Sequence, residues 1–350
     1  MSKICPSLAD LPPPPKGKVG WPWTEESPRS GKVMEDGSDW PLISIVTPSY
    51  NQAEYLEETI RSILLQGYPN LEYFIFDGGS SDNSNAIIKK YDKWIDFWVS
   101  EPDRGQCHAI NKGWERANGE ILAWLNSDDF YQKSALSKAA EASSKTPVGI
   151  TYGHCEVVNL QSKKVSRYIA PQPSLPFFHR LWSGWKGEYN ISQPSTFFDR
   201  ELLARTGHLK EYYNYAMDYD LILRASVRGN FNFIDETLAS FRKYPENKSS
   251  QPGLCGLDMY KTLLQDHRKT VSHIWGDNHL IIAKKYLADT MLDRLRYENS
   301  VNFSKKMKVT LEAISIDPLC IFRNSFWRML ALSCFNNSQF LQLKKNLGFN

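Results

Sequence analysis

The first half of the sequence alternates repeatedly between short apolar runs and stretches with helical spacing. After the first run, Leu56, Ile60 and Ile63 recur at intervals of three and four residues, which is typical of one face of a helix. The apolar runs, which we predict to be strands, lie at 42–47, 71–76, 97–99 and 121–125. A chain that alternates strands and helices in this way forms a parallel sheet covered by helices. The alternation therefore predicts an α/β, Rossmann-like domain.

Polar residues follow each of these runs. In a sheet of this kind, ligands bind outside the carboxyl ends of the strands. The residues at those ends are Tyr50 and Asn51, then Asp77, then Asp103 and Arg104, and finally Asn126, Asp128 and Asp129. Because separate strands deliver polar groups to one edge of the sheet, we predict that a ligand site lies at this edge.

Two adjacent carboxylates, Asp128 and Asp129, are the strongest single signal for the chemistry of that site. Neighbouring aspartates repel each other and resist ionising together unless a cation or hydrogen-bond donors lie nearby. A hard divalent cation prefers oxygen ligands and often bridges to the phosphates of a substrate. The other interpretation is that they cap a helix after Tyr131, which accounts for one aspartate but not for both. The pair therefore predicts a site for a divalent metal.

The other residues at this edge each have two interpretations. Asp77 precedes two glycines, so it either forms an Asx turn or accepts a hydrogen bond from a base or ribose, and its position favours the second. Tyr50 either stacks on a base or is a surface tyrosine. Asp103 and Arg104 either line the pocket or belong to a solvated loop.

Three local patterns predict where helices begin and end. Asn51 with Glu54 resembles a capping box that opens the first helix. Gly119 is predicted to follow the third helix as its C′ residue. On spacing alone, Asp218 is best explained as the N-cap of a later helix, where the helix dipole also favours an acid.

Several function classes are disfavoured by motifs that the sequence lacks. The first strand–helix turn, PSYNQ, contains neither a GxGxxG nor a P-loop motif, which argues against a dinucleotide oxidoreductase or a P-loop NTPase. The net charge of +3 does not favour nucleic acid as a partner. The six cysteines are scattered without a CxxC pair, which argues against a disulfide framework and a zinc site. With no signal-peptide core and no membrane-spanning run, we expect a cytoplasmic protein.

The chain is predicted to have three parts. Residues 1–40 form an irregular Pro-rich arm, docked through Trp21 and Trp23. Residues 41–250 form the α/β domain. Residues 257–350 are mostly helical and basic, which favours peripheral contact with a membrane surface as a hypothesis.

Five blocks of the sequence together resemble the family 2 glycosyltransferases, which have the GT-A fold. The first two blocks are ISIVTPSYNQAEYLEETIRSILLQGYPNLEYFIFDGGSSDNS and SEPDRGQCHAINKG. The third is GEILAWLNSDD, and the last two are QPSTFFDRELL and AMDYDLILR. The resemblance covers roughly residues 41–245 in order.

This resemblance implies an inverting transfer from a nucleotide-sugar donor to an acceptor hydroxyl, assisted by Mg²⁺ or Mn²⁺. The acceptor would be a glycan or a lipid-linked molecule, in polysaccharide, lipopolysaccharide or glycolipid synthesis. Residues 41–130 would form the nucleotide-sugar half and residues 150–250 the acceptor half. Asp218 matches the catalytic base, which reverses the interpretation as a mere cap. By motif, Pro48, Tyr50 and Asn51 would lie by the nucleotide, Asp77 by the base, Asp103 and Arg104 near the donor, Asp128 at the ribose and metal, and Asp129 on the metal and diphosphate.

The sequence departs from the family pattern at three positions. Gly78 stands where many members have a second aspartate, and Asn126 replaces the first acid of the DxDD form. Tyr244 stands where many relatives have a histidine. Two other functions stay open: a nucleotidyltransferase acting on sugar phosphates, and a non-catalytic protein that binds nucleotide sugars.

Overall fold

The computed structural model describes residues 5–174, 191–213, 216–248 and 303–322, together with four residues between 284 and 292. The chain divides into two compact units. The first unit comprises Met1–Pro173 and Glu188–Asn247, and it contains the sheet and all the candidate site residues. The second comprises Ser174–Gly187 and Lys248–Asn350.

Within the described residues, one mixed sheet of nine strands forms the centre of the first unit. Its strands are β1 (Ile43–Ser49), β2 (Leu71–Asp77), β3 (Phe97–Ser100), β4 (Ile121–Trp124), β5 (Phe130–Tyr131), β6 (Gly149–Val158), β7 (Lys164–Tyr168), β8 (Thr196–Asp199) and β9 (Asn230–Arg242). Their order is β3-β2-β1-β4-β8-β6-β9-β5, and β7 pairs with β6.

The helices of the first unit connect these strands. They are α1 (Ala53–Leu64), α2 (Ser84–Lys90), α3 (Gln106–Arg116), α4 (Ala135–Lys145), α5 (Arg200–Thr206) and α6 (Met217–Ser226). Helix α3 packs on β1 and β2, and α4 packs on β6 and β9. The burial of apolar residues from both strands and helices, such as Ile45, Ile60 and Ile75, builds the core between these layers.

Strands β1 to β4 are mutually parallel, which confirms the prediction from the alternating pattern. Their register aligns Ser49 with Asp77, and Asp77 with Ser100, so the carboxyl ends of three neighbouring strands meet at one edge. Beyond β4 the sheet is mixed, because β8 runs antiparallel to both β4 and β6. Strand β9 is parallel to β6 and antiparallel to β5, which brings Arg242 back towards the turn after β4.

Residues 5–40 contain turns but neither helix nor strand. The indole of Trp21 donates a hydrogen bond to the Tyr131 carbonyl at 2.8 Å, and Trp23 is buried. The fully buried guanidinium of Arg61 on α1 donates to the backbone carbonyls of Pro12, Pro22 and Trp23 at 2.9–3.0 Å. Helix α1 therefore holds the arm against the sheet domain.

In the second unit, the described residues include helix α7 (Phe303–Ile316) and the short 3-10 helix Pro318–Phe322. None of the helices described is both long enough and apolar enough to cross a bilayer. Most of the predicted helical region 257–350 lies outside the described residues, and so does its predicted membrane contact.

Two predictions about helix ends are wrong. Helix α1 begins after Gln52, and its first backbone N–H, at Ala53, donates to Asp82 from the neighbouring loop at 2.9 Å. Asn51 and Glu54 therefore do not form a capping box, because another segment supplies the acceptor.

Gly119 is not a C′ residue, because α3 already ends at Arg116 and Gly119 lacks the left-handed backbone of a C′ glycine. Its role is close packing. A Cβ atom at this position would lie 2.5 Å from Ser44 Oγ and 2.8 Å from the Leu42 carbonyl oxygen. Glycine is needed here so that the backbone can approach β1.

We expect Gly119→Ala to lower the free energy of unfolding by about 1–3 kcal/mol, because the added methyl group must displace β1 backbone. Chemical denaturation monitored by circular dichroism measures this change. Gly31→Ala is the control, since its methyl group would meet a single backbone oxygen at 3.3 Å. Equal stability of the two variants would contradict the packing argument.

Candidate active site

The loops after β1 and β2 are joined by hydrogen bonds at the predicted edge. The backbone N–H of Asn51 donates to Ser80 Oγ at 2.7 Å, and the Asn51 side chain accepts from the Ser81 N–H at 2.9 Å. Asn51 has a φ of 52°, a left-handed conformation that asparagine tolerates better than most residues. Pro48 is buried within β1 opposite Phe76. The first two strand ends therefore form one continuous rim.

Asp77 is only 2% exposed, and its carboxylate organises this rim. It accepts hydrogen bonds from Ser80 N at 2.8 Å, Gly79 N at 3.2 Å and Ser100 Oγ at 2.6 Å. The Asx-type bond considered from the sequence is therefore present. Contact between Asp77 and a base stays a prediction.

Tyr50, Gly78 and Asp103 lie close together on the same rim. A Cβ atom on Gly78 would lie 3.0 Å from Asp103 Oδ2 and 3.3 Å from Tyr50 Cδ2. The bare backbone of Gly78 is thus flanked by a carboxylate and by an aromatic ring, and Tyr50 is 62% exposed. An exposed aromatic ring such as that of Tyr50 can stack on a planar group. An aspartate at position 78 would have to displace Asp103.

Arg104 is paired elsewhere. Its Nε and Nη2 donate to the two carboxylate oxygens of Glu211 at 2.9 and 2.8 Å. The Arg104 side chain is 67% exposed, so water competes with this ion pair and the pair can open. Contact between Arg104 and a donor requires that opening and stays a prediction.

Asp128 and Asp129 lie in the turn between β4 and β5. The Asp129 carboxylate is buried and accepts from the Arg242 N–H at 2.9 Å and from Asn126 Nδ2 at 3.2 Å. Burial raises the pKa of Asp129 well above its usual range, and the charge of Asp128 raises it further. Neither aspartate caps the next helix, because Ser134 occupies the N-cap position of α4.

The partly exposed Asp128 is held by Tyr244. The phenol of Tyr244 donates to Asp128 Oδ2 at 2.9 Å and accepts from Gln52 Nε2 at 3.3 Å. Burial raises the pKa of Asp128, and the hydrogen bond from Tyr244 opposes that rise. Burial also raises the pKa of Tyr244, so its hydroxyl stays a neutral donor. Tyr244 therefore links the acidic pair to the loop that follows β1.

Amide side chains connect the acidic pair to the second half of the domain, which sequence reasoning missed. Asn126 Nδ2 donates to Gln193 Oε1 at 3.1 Å, and Gln193 Nε2 donates to the Trp124 carbonyl at 2.7 Å. Asn126 Oδ1 accepts from Gln106 Nε2 at 2.6 Å. The neutral side chain of Asn126 thus joins Gln106 and Gln193 to Asp129. An acid at this position would add a third negative charge to the turn. The only signal in the sequence is the QPST segment, which does not show that its glutamine reaches β4.

Asp218 lies in the first turn of α6, and the N-cap of that helix is Ala216. The cap predicted from spacing alone is therefore wrong. The partly exposed Asp218 accepts from the Tyr219 N–H at 2.8 Å. The sulfur of Met217 lies beside the sulfur of Cys107 on α3, whose neighbour Gln106 reaches Asn126. The beginning of α6 is therefore tied to the acidic turn through α3.

Comparison with known proteins identifies the family of this chain. The sequence model described as Glycosyl transferase family 2 matches residues 44–207. An uncharacterised glycosyltransferase of Mycobacterium tuberculosis (strain CDC 1551 / Oshkosh) is 31% identical over 192 residues, which cover 53% of this chain and 70% of that protein. The chain belongs to glycosyltransferase family 2.

Two further proteins are similar to this chain, one in fold and one in sequence. The crystal structure of S. aureus TarS 1–349 with UDP-GlcNAc has a TM-score of 0.62 at 15% identity, over 88% of this chain and 92% of that one. The α/β GT-A fold expected from the sequence is thereby confirmed. The Escherichia coli enzyme WfgD, a UDP-Glc:alpha-D-GlcNAc-diphosphoundecaprenol beta-1,3-glucosyltransferase, is 33% identical over 132 residues, 37% of this chain and 52% of that protein.

The donor set at the acidic turn of this family 2 enzyme fits a hard divalent cation. Two carboxylates with raised pKa values lie next to each other, and a cation would offset the repulsion between their charges. The described residues contain no cluster of three or more acidic, histidine or cysteine side chains that could hold a metal. One or two carboxylates are what Mg²⁺ usually takes from a protein when substrate phosphates supply further ligands.

Because its pKa is raised in the folded state, Asp129 destabilises the metal-free fold above its ordinary pKa of 3.8. We expect metal-free Asp129→Asn protein to unfold at a higher temperature than the wild type at pH 7. The difference should shrink as the pH falls through the raised pKa towards 3.8, since the wild-type carboxyl is then protonated as well.

Differential scanning calorimetry in EDTA across this pH range measures the effect. Asp235→Asn is the control, because the Asp235 side chain is 84% exposed and should show no comparable gain. A lower midpoint for Asp129→Asn at pH 7 would contradict the expectation.

Proposed function

We propose that this family 2 glycosyltransferase moves a sugar from a nucleotide-diphospho-sugar to an acceptor hydroxyl with inversion at the anomeric carbon. The observation that carries the proposal is the pair Asp128 and Asp129 in the turn after β4, which Tyr244 links to the loop after β1. The relative WfgD, by its name, uses a UDP-sugar and a diphosphoundecaprenol-linked acceptor. That relative supports a lipid-linked or glycan acceptor for this chain.

In this mechanism, Asp218 is the general base. Its carboxylate takes the proton of the acceptor hydroxyl while the acceptor oxygen attacks the anomeric carbon from the face opposite the leaving group. A base in the first turn of a helix keeps a fixed direction, because the backbone around it is hydrogen-bonded. A single displacement from that face inverts the anomeric configuration.

The residues of the rim would bind the donor. Tyr50 would stack on the base, and Asp77 and Asp103 lie on the same rim. Asp129 and Asp128 would hold Mg²⁺ or Mn²⁺, which when bound would supply positive charge opposite the departing nucleoside diphosphate. Tyr244 fixes one oxygen of Asp128 by its hydrogen bond. Pro48, Asn51 and Arg104 complete the donor contacts proposed from the family motifs.

A panel of nucleotide sugars, incubated with Mn²⁺ or Mg²⁺ and a lipid-linked or glycan acceptor, tests the proposed reaction. The expected product is free nucleoside diphosphate, and its release should stop when EDTA removes the metal. In a parallel assay that supplies nucleoside triphosphates and sugar 1-phosphates instead, release of pyrophosphate would identify a nucleotidyltransferase. Thermal stabilisation by a nucleotide sugar without any product would identify a binding protein.

We expect Asp218→Asn to lower kcat by about 10²–10⁴-fold, because the amide cannot accept the acceptor proton. The dissociation constant of the donor, measured by isothermal titration calorimetry, should stay close to the wild-type value. Asp235→Asn is the matched control, since its exposed carboxylate pairs with His154 outside the proposed site. Undiminished turnover of Asp218→Asn would refute this residue as the base.

A further inference from the structure

Arg242 contacts the acidic turn although it lies far from Asp128 and Asp129 in the sequence. It is the last residue of β9, and its side chain is 1% exposed. Strand β9 pairs with β5 so that Phe130 lies opposite Ser240, and the antiparallel register then places Arg242 beside the turn that precedes β5. The pairing of the two strands therefore delivers this arginine to Asp128 and Asp129.

Arg242 is bonded to both aspartates, but through different atoms. Its backbone N–H donates to Asp129 Oδ1 at 2.9 Å. Its side-chain Nε donates to the backbone carbonyl of Asp128 at 3.0 Å. The first bond orients one carboxylate, and the second fixes the main chain that carries the other. One residue therefore contacts both the carboxylate of Asp129 and the main chain of Asp128.

The rest of the guanidinium is held just as firmly. Its Nη2 donates to Glu58 Oε2 at 2.8 Å, and the ring of Tyr55 lies 4.7 Å from its central carbon. Its Nη1 has three acceptors in the loop after β6, at 3.0–3.2 Å: the carbonyls of Asn159 and Leu160 and the hydroxyl of Ser162. The planar donor fork of arginine matches such a set, whereas the ammonium of lysine does not.

Stability alone is a weak explanation for this cluster. A buried ion pair such as Arg242 with Glu58 is often no more stabilising than apolar side chains of similar volume. The geometry of the contacts is more informative. Besides its pair with Glu58, the guanidinium bonds the backbone carbonyl of Asp128, and the Arg242 N–H bonds the Asp129 carboxylate. An ion pair that only stabilised the fold would not need these two contacts, whereas a residue that places the two aspartates does.

We propose that Arg242 is a positioning residue that orients Asp128 and Asp129 and thereby sets the affinity of the site for a divalent cation. This inference rests on the proposed function, since it needs the two aspartates to be the metal ligands. Glu58 is the partner that keeps the guanidinium in place. Residues that orient metal ligands through hydrogen bonds typically change metal affinity or activity by about 10–100-fold when they are replaced.

Mn²⁺ binding to the full-length protein tests the proposal, with free Mn²⁺ measured by electron paramagnetic resonance in the absence and presence of UDP. We expect Arg242→Lys and Arg242→Met to raise the Mn²⁺ dissociation constant about 10-fold or more. Glu58→Gln should raise it less, because the amide oxygen can still accept from Arg242.

The matched control is Arg61→Lys. Arg61 is equally buried and bonds three backbone carbonyls, but these lie in the N-terminal arm. We expect this variant to lower the unfolding midpoint while leaving Mn²⁺ affinity within about two-fold of the wild type, a margin well below the effect of orienting residues. Thermal unfolding of each variant without metal separates lost stability from lost positioning. If Arg242→Met does not fold, Arg242→Lys and Glu58→Gln decide the question.

The outcomes separate this inference from the proposed reaction. Wild-type Mn²⁺ affinity in folded Arg242→Lys would overturn the positioning role, while turnover of the wild type would still support the reaction. Weakened Mn²⁺ binding in this variant would support positioning even if no nucleotide sugar were consumed. An equal loss of Mn²⁺ affinity in Arg61→Lys would show that the loss follows from lower stability of the fold, which would overturn the inference. A wild type that binds no Mn²⁺, with or without UDP, would overturn both the metal site and the role of Arg242.

Discussion

The burial of two adjacent carboxylates at the end of β4 is the constraint on which the site depends. Removing Asp128 and Asp129 from water raises the pKa of each, so the fold must surround them with donors. The donors come from three places: Tyr244 beyond β9, Arg242 at its end, and Asn126 in the turn itself. The long strand β9 is therefore as important to the site as the strand that carries the aspartates.

The two halves of the domain meet at this acidic turn. The parallel register of β1 to β3 aligns the loops that we propose to bind the nucleotide. The second half reaches the same turn through Gln193, which bonds Asn126, and through α6, whose first residue Met217 packs on Cys107. These contacts join the two parts of the domain at the acidic turn, where the proposed reaction needs both donor and acceptor.

Local pattern was sufficient for the first half of the fold. Strands β1 to β4 coincide with the short apolar runs, each of which ends at turn residues. Because these strands are largely buried, the apolar runs stand out in the sequence. Helix ends were predicted less well, since the acceptor for the first turn of α1 is Asp82 from another loop and not Asn51. Gly119 was misread for a similar reason: its role is contact with β1, which no local rule contains.

The sequence by itself determined the α/β class, the family and the strand ends at which Asp77, Asp128 and Asp129 lie. These follow from periodicity and from motifs whose residues are neighbours along the chain. Only the tertiary structure decided that Arg242 and Glu58 support the acidic turn, and that Arg104 pairs with Glu211. Those contacts join residues that are far apart in sequence, and their partners depend on strand register and burial, which no local pattern encodes.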